Sequence, residues 1–260
     1  MRADDYPYFR TRFAALAHRG GQVNGDPARE NSLAAFQHAV AQGYRYLETD
    51  VHTSADGVLL AFHDTHLDRV TDASGALAAL PHSEIARARI AGSDSIPTLD
   101  ELLDAFPTAR FNIDLKADSA IVALARVLDR HRAHDRVCVG SFSQRRIQAF
   151  RRLTGRRVAT SVGPVGVAVY GYAAAVRRLV RSPGVALQIP VRIRRDTVRL
   201  LSPGLIRAAH AAGRVVHVWT VNDEPTMHDL IDLGVDGIVT DATDVLKRVL
   251  LARGLWEDER

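Results

Sequence analysis

The chain is poor in sulfur and in aromatic rings: one cysteine, two methionines, two tryptophans and 6% aromatic side chains in 260 residues. A lone thiol excludes an intrachain disulfide and a thiolate metal cage, so Cys138, in the apolar run Val137-Cys138-Val139, reads as a buried structural thiol. No uninterrupted apolar run reaches the roughly 18 residues that a membrane-spanning helix needs. The first thirteen residues carry Arg2, Asp4, Asp5, Arg10 and Arg12 where a secretory signal would have its apolar core. The expected location is therefore the cytoplasm. Charge of one sign is also scarce, since 34 basic against 30 acidic residues leave a net +4, a weak argument for nucleic acid. The pairs Arg145-Arg146, Arg151-Arg152, Arg156-Arg157, Arg177-Arg178 and Arg194-Arg195 would suit a polyanion-binding barrel, but such runs are ordinarily solvated helix surface.

What is present is ordinary globular usage, 47% hydrophobic and 25% charged, in a length that an undivided α/β barrel fills. Short β-branched and apolar runs alternate with helical patterns, the signature of strand–helix units on a parallel sheet. Eight strands are expected: 13–18, 46–52, 111–116, 137–142, 158–162, 186–191, 215–221 and 237–241. Helical patterns fall at 32–42, 119–131, 144–153, 165–180, 197–212, 224–233 and 243–251. Eight such units predict a (β/α)8 TIM barrel in one domain, residues 1–260, with its chemistry at the strand ends. A doubly wound sheet is the alternative, but Gly20-Gly21-Gln22-Val23-Asn24-Gly25 does not fit the glycine-rich turn of that fold. The stretch 53–97 interrupts the rhythm between strand 2 and the next barrel helix. It contains its own short strand, 58–62, and reads as a small insertion over the barrel mouth that delivers Phe62-His63-Asp64.

Strand alternation sorts the polar residues. Glu48, Asp50 and His52 share one face of the second strand, and Asn112, Asp114 and Lys116 share one face of the third. Three inward carboxylates repel one another unless a cation compensates them. Ligation by Glu48, Asp50 and Asp114 through oxygen alone suits Mg²⁺ or Ca²⁺ better than Zn²⁺. The alternative is a structural salt-bridge layer made with Lys116 and Arg19. Together with the imidazoles of His18 and His63, these residue types form the inventory for metal-assisted cleavage of a phosphate ester.

Several short motifs occur in order: His18-Arg19-Gly20, Glu30-Asn31-Ser32, Glu48-Thr49-Asp50-Val51, Asp56-Gly57, His63-Asp64, Leu67-Asp68-Arg69-Val70-Thr71, Pro97-Thr98-Leu99, Trp219-Thr220-Val221-Asn222 and Gly234-Val235-Asp236-Gly237. In that order and spacing, from Ala17 to Asp241, the chain resembles the glycerophosphodiester phosphodiesterases. Two departures stand out. Asp114 replaces the family's usual Glu, and Arg29-Glu30-Asn31-Ser32 replaces Pro-Glu-Asn-Thr.

The resemblance implies a metal on Glu48, Asp50 and Asp114, acid/base catalysis by His18 and His63, phosphate contacts from Arg19 and Lys116, and Glu30 at the site edge. Trp219, at the end of the seventh strand, is expected to wall the glycerol pocket. His52 reads as a supporting residue, His217 as packing deeper in the barrel, and the seven remaining histidines, among them His131, His134 and His210, as surface. The implied reaction is metal-dependent hydrolysis of a small glycerophosphodiester to glycerol 3-phosphate and an alcohol. The apolar segment 162–180 leaves open a lysophospholipase D or other phospholipase D-type reaction, the one case that would call for membrane contact.

Overall fold

The computed structural model describes residues 1–172, 182–191 and 201–257. Among these, eight parallel strands form a barrel: β1 (Ala14–His18), β2 (Tyr46–Thr53), β3 (Arg110–Leu115), β4 (Val137–Gly140), β5 (Ala159–Thr160), β6 (Ala186–Pro190), β7 (Val215–Trp219) and β8 (Gly237–Thr240). The sheet runs β5-β4-β3-β2-β1-β8-β7-β6. Its two ends meet at a parallel bridge between Ser161 and Ala186, where the Val162 amide donates to the Ala186 carbonyl at 2.7 Å. Pairing is longest between β2 and β3, from Tyr46 opposite Arg110 to Val51 opposite Leu115.

Alternation decides which side chains fill the barrel and which face the helices. Leu47, Val51, Phe111, Ile113, Leu115, Val137 and Val139 point outward into the larger core, while Leu16, Tyr46, Cys138, Ala159, Ala186 and Val239 pack inside. Burying each large outward side chain stabilises the fold by about 1.5–3 kcal/mol. Among the described residues, eight helices follow the strands: α1 (Leu33–Ala41), α2 (Leu99–Ala105), α3 (Ala120–Arg130), α4 (Gln144–Thr154), α5 (Pro164–Tyr172), α6 (Pro203–Ala211), α7 (Glu224–Leu233) and α8 (Thr243–Ala252). Ser32 caps α1 by accepting from the Ala35 amide at 3.1 Å, and Thr98 with Glu101 forms a reciprocal cap on α2.

The expected helices over 165–180 and 197–212 run partly into residues outside the described set, as do Arg177-Arg178 and Arg194-Arg195. The strand expected over 137–142 ends at Gly140, leaving Phe142 in the following loop with 66% of its surface exposed. The strand expected to reach Val221 ends at Trp219.

Arg151 corrects the reading of the arginine pairs as plain surface. It is buried, and it donates to the Thr160 hydroxyl and the Ser161 carbonyl, both at 2.7 Å. His131 and His134 are likewise mostly enclosed, paired with Asp100 and Asp129.

Residues 54–97 wrap a small core of their own, made of Leu60, Phe62, Leu67, Leu77, Ile85, Ala88, Ile90 and Ile96. The segment starts as an antiparallel extension of the barrel sheet, Leu59–Ala61 pairing with Val51–Thr53, and it includes a two-residue hairpin, Arg89–Ile90 against Asp94–Ser95. At the opposite end of the barrel the N-terminal residues form a floor. Ala3, Tyr6 and Tyr8 are buried there, Tyr46 Oη donates to the Tyr8 carbonyl at 2.7 Å, and the Phe9 ring lies 6.0 Å from that of His217.

Candidate active site

At the C-terminal ends of the strands lies a cavity of about 460 Å³, lined on one side by His18, Arg19, Glu48, Asp50, His63, Asp114 and Lys116. Its other wall is more apolar and includes Phe142, Val162, Pro164, Val167, Pro190 and Trp219. Trp219 and Phe142 meet edge to face at 5.6 Å, and Lys116 Nζ stands 5.5 Å from the centre of the Phe142 ring.

β1 delivers His18 as its last residue, and the chain then turns sharply through Arg19 (φ 51°) and Gly20 (φ 89°). A Cβ on Gly20 would fall 2.7 Å from that of Ala35, so only glycine lets the turn pack on α1. The turn aims the Arg19 amide at Glu48 Oε2, 3.1 Å away. His18 Nδ1 lies 2.6 Å from Asp241 Oδ1, and its Nε2 lies 3.8 Å from Glu48 Oε2. Burial alone would lower the His18 pKa, but the Asp241 hydrogen bond and the nearby carboxylates outweigh it and hold the imidazole above its ordinary value. Asp241 is itself held by Asn222, whose amide donates to Oδ2 at 2.8 Å.

The carboxylates of β2 and β3 are tied to cations. Lys116 Nζ sits between Asp50 Oδ1 at 3.0 Å and Asp114 Oδ2 at 2.8 Å. Arg19 Nε lies 3.0 Å from Asp50 Oδ2, an ion pair without hydrogen-bond alignment, so that buried oxygen accepts no hydrogen bond. Burial pushes Asp50 up, yet Lys116 and Arg19 bring it below the usual carboxylate range. Asp114 is raised, because burial outweighs its pairing with Lys116. Glu48 is raised to about 7, by burial and then by the charge of Asp50.

Among the described residues, no three histidine, cysteine or acidic side chains converge as they would on a bound ion, and Lys116 takes the position between two of the carboxylates. Lys116 and Arg19 thus pair with the carboxylates of β2 and β3. The donor chemistry still fits a hard divalent cation: every candidate ligand atom is oxygen, Asp50 Oδ2 is buried without a hydrogen bond, and Glu48 is a carboxyl that a cation would ionise.

His63 reaches the cavity from the insertion. Its Nδ1 lies 2.5 Å from Asp64 Oδ1, and His52 Nε2 stands 3.0 Å from the His63 carbonyl. Glu30 lies behind Arg19 rather than on the cavity wall, pairing with Arg19 Nη1 at 3.1 Å. The structure therefore brings His18, His63, Arg19, Lys116, Glu48, Asp50, Asp114 and Trp219 to one cavity. Sequence reasoning missed Asp241 as the partner of His18, along with Asn222 behind it and Phe142 opposite Trp219; Asn112, expected on the inward face, accepts at Oδ1 from Gln188 at 2.6 Å inside the barrel.

Comparison with known proteins places this cavity among relatives. Residues 18–245 match the model of the glycerophosphoryl diester phosphodiesterase family. The chain is 42% identical over 254 residues to a Mycobacterium tuberculosis protein named "Probable glycerophosphodiester phosphodiesterase 2", covering 94% of this chain and 92% of that one. Among solved structures, an Oleispira antarctica phosphodiesterase in complex with the product sn-glycerol-3-phosphate superposes with a TM-score of 0.75 at 25% identity, over 91% of this chain and 96% of the other. A glycerophosphodiester phosphodiesterase from Agrobacterium tumefaciens superposes at 0.72 with 26% identity, over 90% and 99%. With a catalytic-type cavity at the C-terminal face of a TIM barrel and a family match spanning nearly all of its length, the chain belongs to the glycerophosphoryl diester phosphodiesterase family.

Proposed function

We propose that this protein is a phosphoric diester hydrolase that cleaves glycerophosphodiesters to glycerol 3-phosphate and an alcohol, using His18 and His63 as its acid/base pair. The observation that carries this reading is the placement of two imidazoles, each backed at Nδ1 by a carboxylate, in one cavity with Arg19 and Lys116. The carboxylates, which can only accept, fix the tautomer of each ring and leave Nε2 free to take or give a proton. One imidazole removes the proton from the nucleophile, a water or the neighbouring glycerol hydroxyl, and the other protonates the departing alkoxide.

Arg19 and Lys116 carry the positive charge that the dianionic transition state requires, and the low-dielectric cavity strengthens it. A divalent cation, Mg²⁺ or Ca²⁺, held by Glu48, Asp50 and Asp114 would add charge neutralisation at a phosphoryl oxygen. Trp219 and Phe142 exclude water from the apolar side, where the carbon skeleton of the glycerol packs. The 66% exposure of Phe142 on the apolar wall, beside Val162 and Val167, favours a second substrate class, lysophospholipids, whose acyl chain would lie against them.

The test is release of glycerol 3-phosphate from glycerophosphocholine and glycerophosphoethanolamine with Mg²⁺, Ca²⁺ or EDTA, for the wild type and His18→Ala side by side. Metal-dependent release lost in the variant supports the reading. No release with any metal overturns the small-diester assignment and turns the assay to lysophospholipids. Salt-sensitive polyanion binding that survives His18→Ala, without turnover of either substrate, would favour the non-enzymatic barrel.

A further inference from the structure

Arg69 does not line the cavity, yet its guanidinium joins two carboxylates that each hold a side chain lining it. Nε donates to Asp64 Oδ2 at 2.5 Å and Nη2 to Asp64 Oδ1 at 3.2 Å. On the other edge Nη2 donates to Glu30 Oε1 at 2.5 Å and Nη1 to Glu30 Oε2 at 3.1 Å. Asp64 in turn holds His63 Nδ1, and Glu30 holds Arg19 Nη1. A continuous chain of charge-assisted hydrogen bonds therefore runs His63–Asp64–Arg69–Glu30–Arg19, from the insertion to the turn after β1. The planar five-donor fork of arginine gives each carboxylate two bonds, four in all, which the three donors of an ammonium cannot match.

The backbone around Arg69 is fixed independently of its side chain. Leu67 is buried in the insertion core, its amide donates to the Gly75 carbonyl at 3.0 Å, and its own carbonyl accepts from the Thr71 hydroxyl at 2.8 Å. Arg29 ties the same loop of the barrel to the insertion a second time, through bonds of 2.6 and 2.8 Å to Asp94. His52 anchors the His63 backbone from β2. Removing the Arg69 guanidinium thus leaves the insertion attached and frees the side chains of Asp64 and Glu30 to rotate. The hydrogen bond from Arg69 holds the Asp64 carboxyl down at about 2, so Asp64 stays ionised and acts as a constant acceptor for the imidazole at any working pH.

We propose that Arg69 is a positioning residue for diester cleavage, orienting the His63 imidazole through Asp64 and the Arg19 guanidinium through Glu30, so that insertion and barrel present the two groups at one spacing. The inference rests on the function proposed above. It distinguishes Arg69 from Arg19 and Lys116: its loss acts on chemistry through a neighbour, with no contact to the substrate.

The test is a double-mutant cycle on the intact protein, with glycerophosphocholine as substrate and thermal unfolding recorded for every variant. Arg69→Met and Asp64→Asn are each expected to lower kcat by roughly 10- to 100-fold, the range carried by groups that orient a functional ligand. The double variant is expected within about threefold of the worse single variant, because both changes break one chain. Glu30→Gln is expected to raise KM as Arg19 loosens. Arg69→Lys, which keeps the charge and loses the fork, should fall between wild type and Arg69→Met, and it replaces Arg69→Met in the cycle if that variant does not fold.

A kcat for the Arg69 variant within about twofold of wild type, or losses that multiply in the double variant, would overturn the inference while leaving the diesterase reading intact. A wild type that releases no glycerol 3-phosphate would overturn the diesterase reading first, and this inference with it.

Discussion

His18 and Asp241 lie 223 residues apart and meet at 2.6 Å because β1 and β8 are neighbours in the barrel. The adjacency places the last residue of one strand beside the first residue after the other, so the imidazole is oriented by backbone pairing as well as by its own hydrogen bond. Asp241→Asn should lower kcat by at least about tenfold with little change in KM, since the substituted amide no longer fixes the tautomer. His18→Ala should cost about 10²- to 10⁴-fold, the range of a lost acid/base group. Steady-state kinetics of the two variants with one substrate checks both.

Trp219 forms the apolar wall together with Phe142, across the cavity from the charged groups. Trp219→Ala should therefore raise KM by about tenfold, equivalent to roughly 1.4 kcal/mol of binding, with a smaller effect on kcat. A kcat loss exceeding the change in KM would place the indole in the chemistry instead.

Asp114 carries a side chain one methylene shorter than the glutamate that the family resemblance leads one to expect, and Lys116 grips it at 2.8 Å. Lengthening it should bring the carboxylate nearer to its partners on β2. Asp114→Glu is expected to lower the Mg²⁺ or Ca²⁺ concentration giving half-maximal activity, and Asp114→Ala to raise it by about 10-fold or more. Calorimetric titration with the metal alone checks the same order without turnover.

His217 is fully buried above the barrel floor, and burial holds its pKa down at about 4. Its ring stays neutral in the fold, whereas the unfolded chain takes up a proton below about pH 6.5. Between these two values the unfolded state binds more protons than the native one, so stability conferred by the neutral ring is full above about pH 6.5 and is lost as pH falls toward 4. His217→Leu should flatten that part of the profile. Urea midpoints at pH 7, 5.5 and 4.5 for both proteins would show it; parallel slopes would contradict it.

Much of the site was legible because β2 and β3 keep strict alternation. Glu48, Asp50, Asn112, Asp114 and Lys116 all take the inward side that a period of two dictates, and Leu47, Val51, Phe111, Ile113 and Leu115 the outward one. What escaped the sequence depends on contacts between distant segments. Asp241 acquires its meaning only when β8 lies beside β1, and the floor built by Tyr6 and Tyr8 has no periodicity to announce it. Arg69 belongs to a motif whose letters say nothing of where a guanidinium will reach. Arg151 was misread for a related reason: an arginine within a basic run becomes an interior residue only because Thr160 and Ser161 offer it oxygen atoms.

The strands that meet at Ser161 and Ala186 are joined there by sparse bonding, while β2 and β3 are stitched along six residues. The charged half of the cavity hangs on the tightly stitched strands and much of the apolar half borders the lightly stitched seam. Under the proposed function, chemistry and selectivity fall in separate parts of the wall. A descendant of this chain could then change what it accepts by altering the seam, while the groups proposed to break the bond stay where they are.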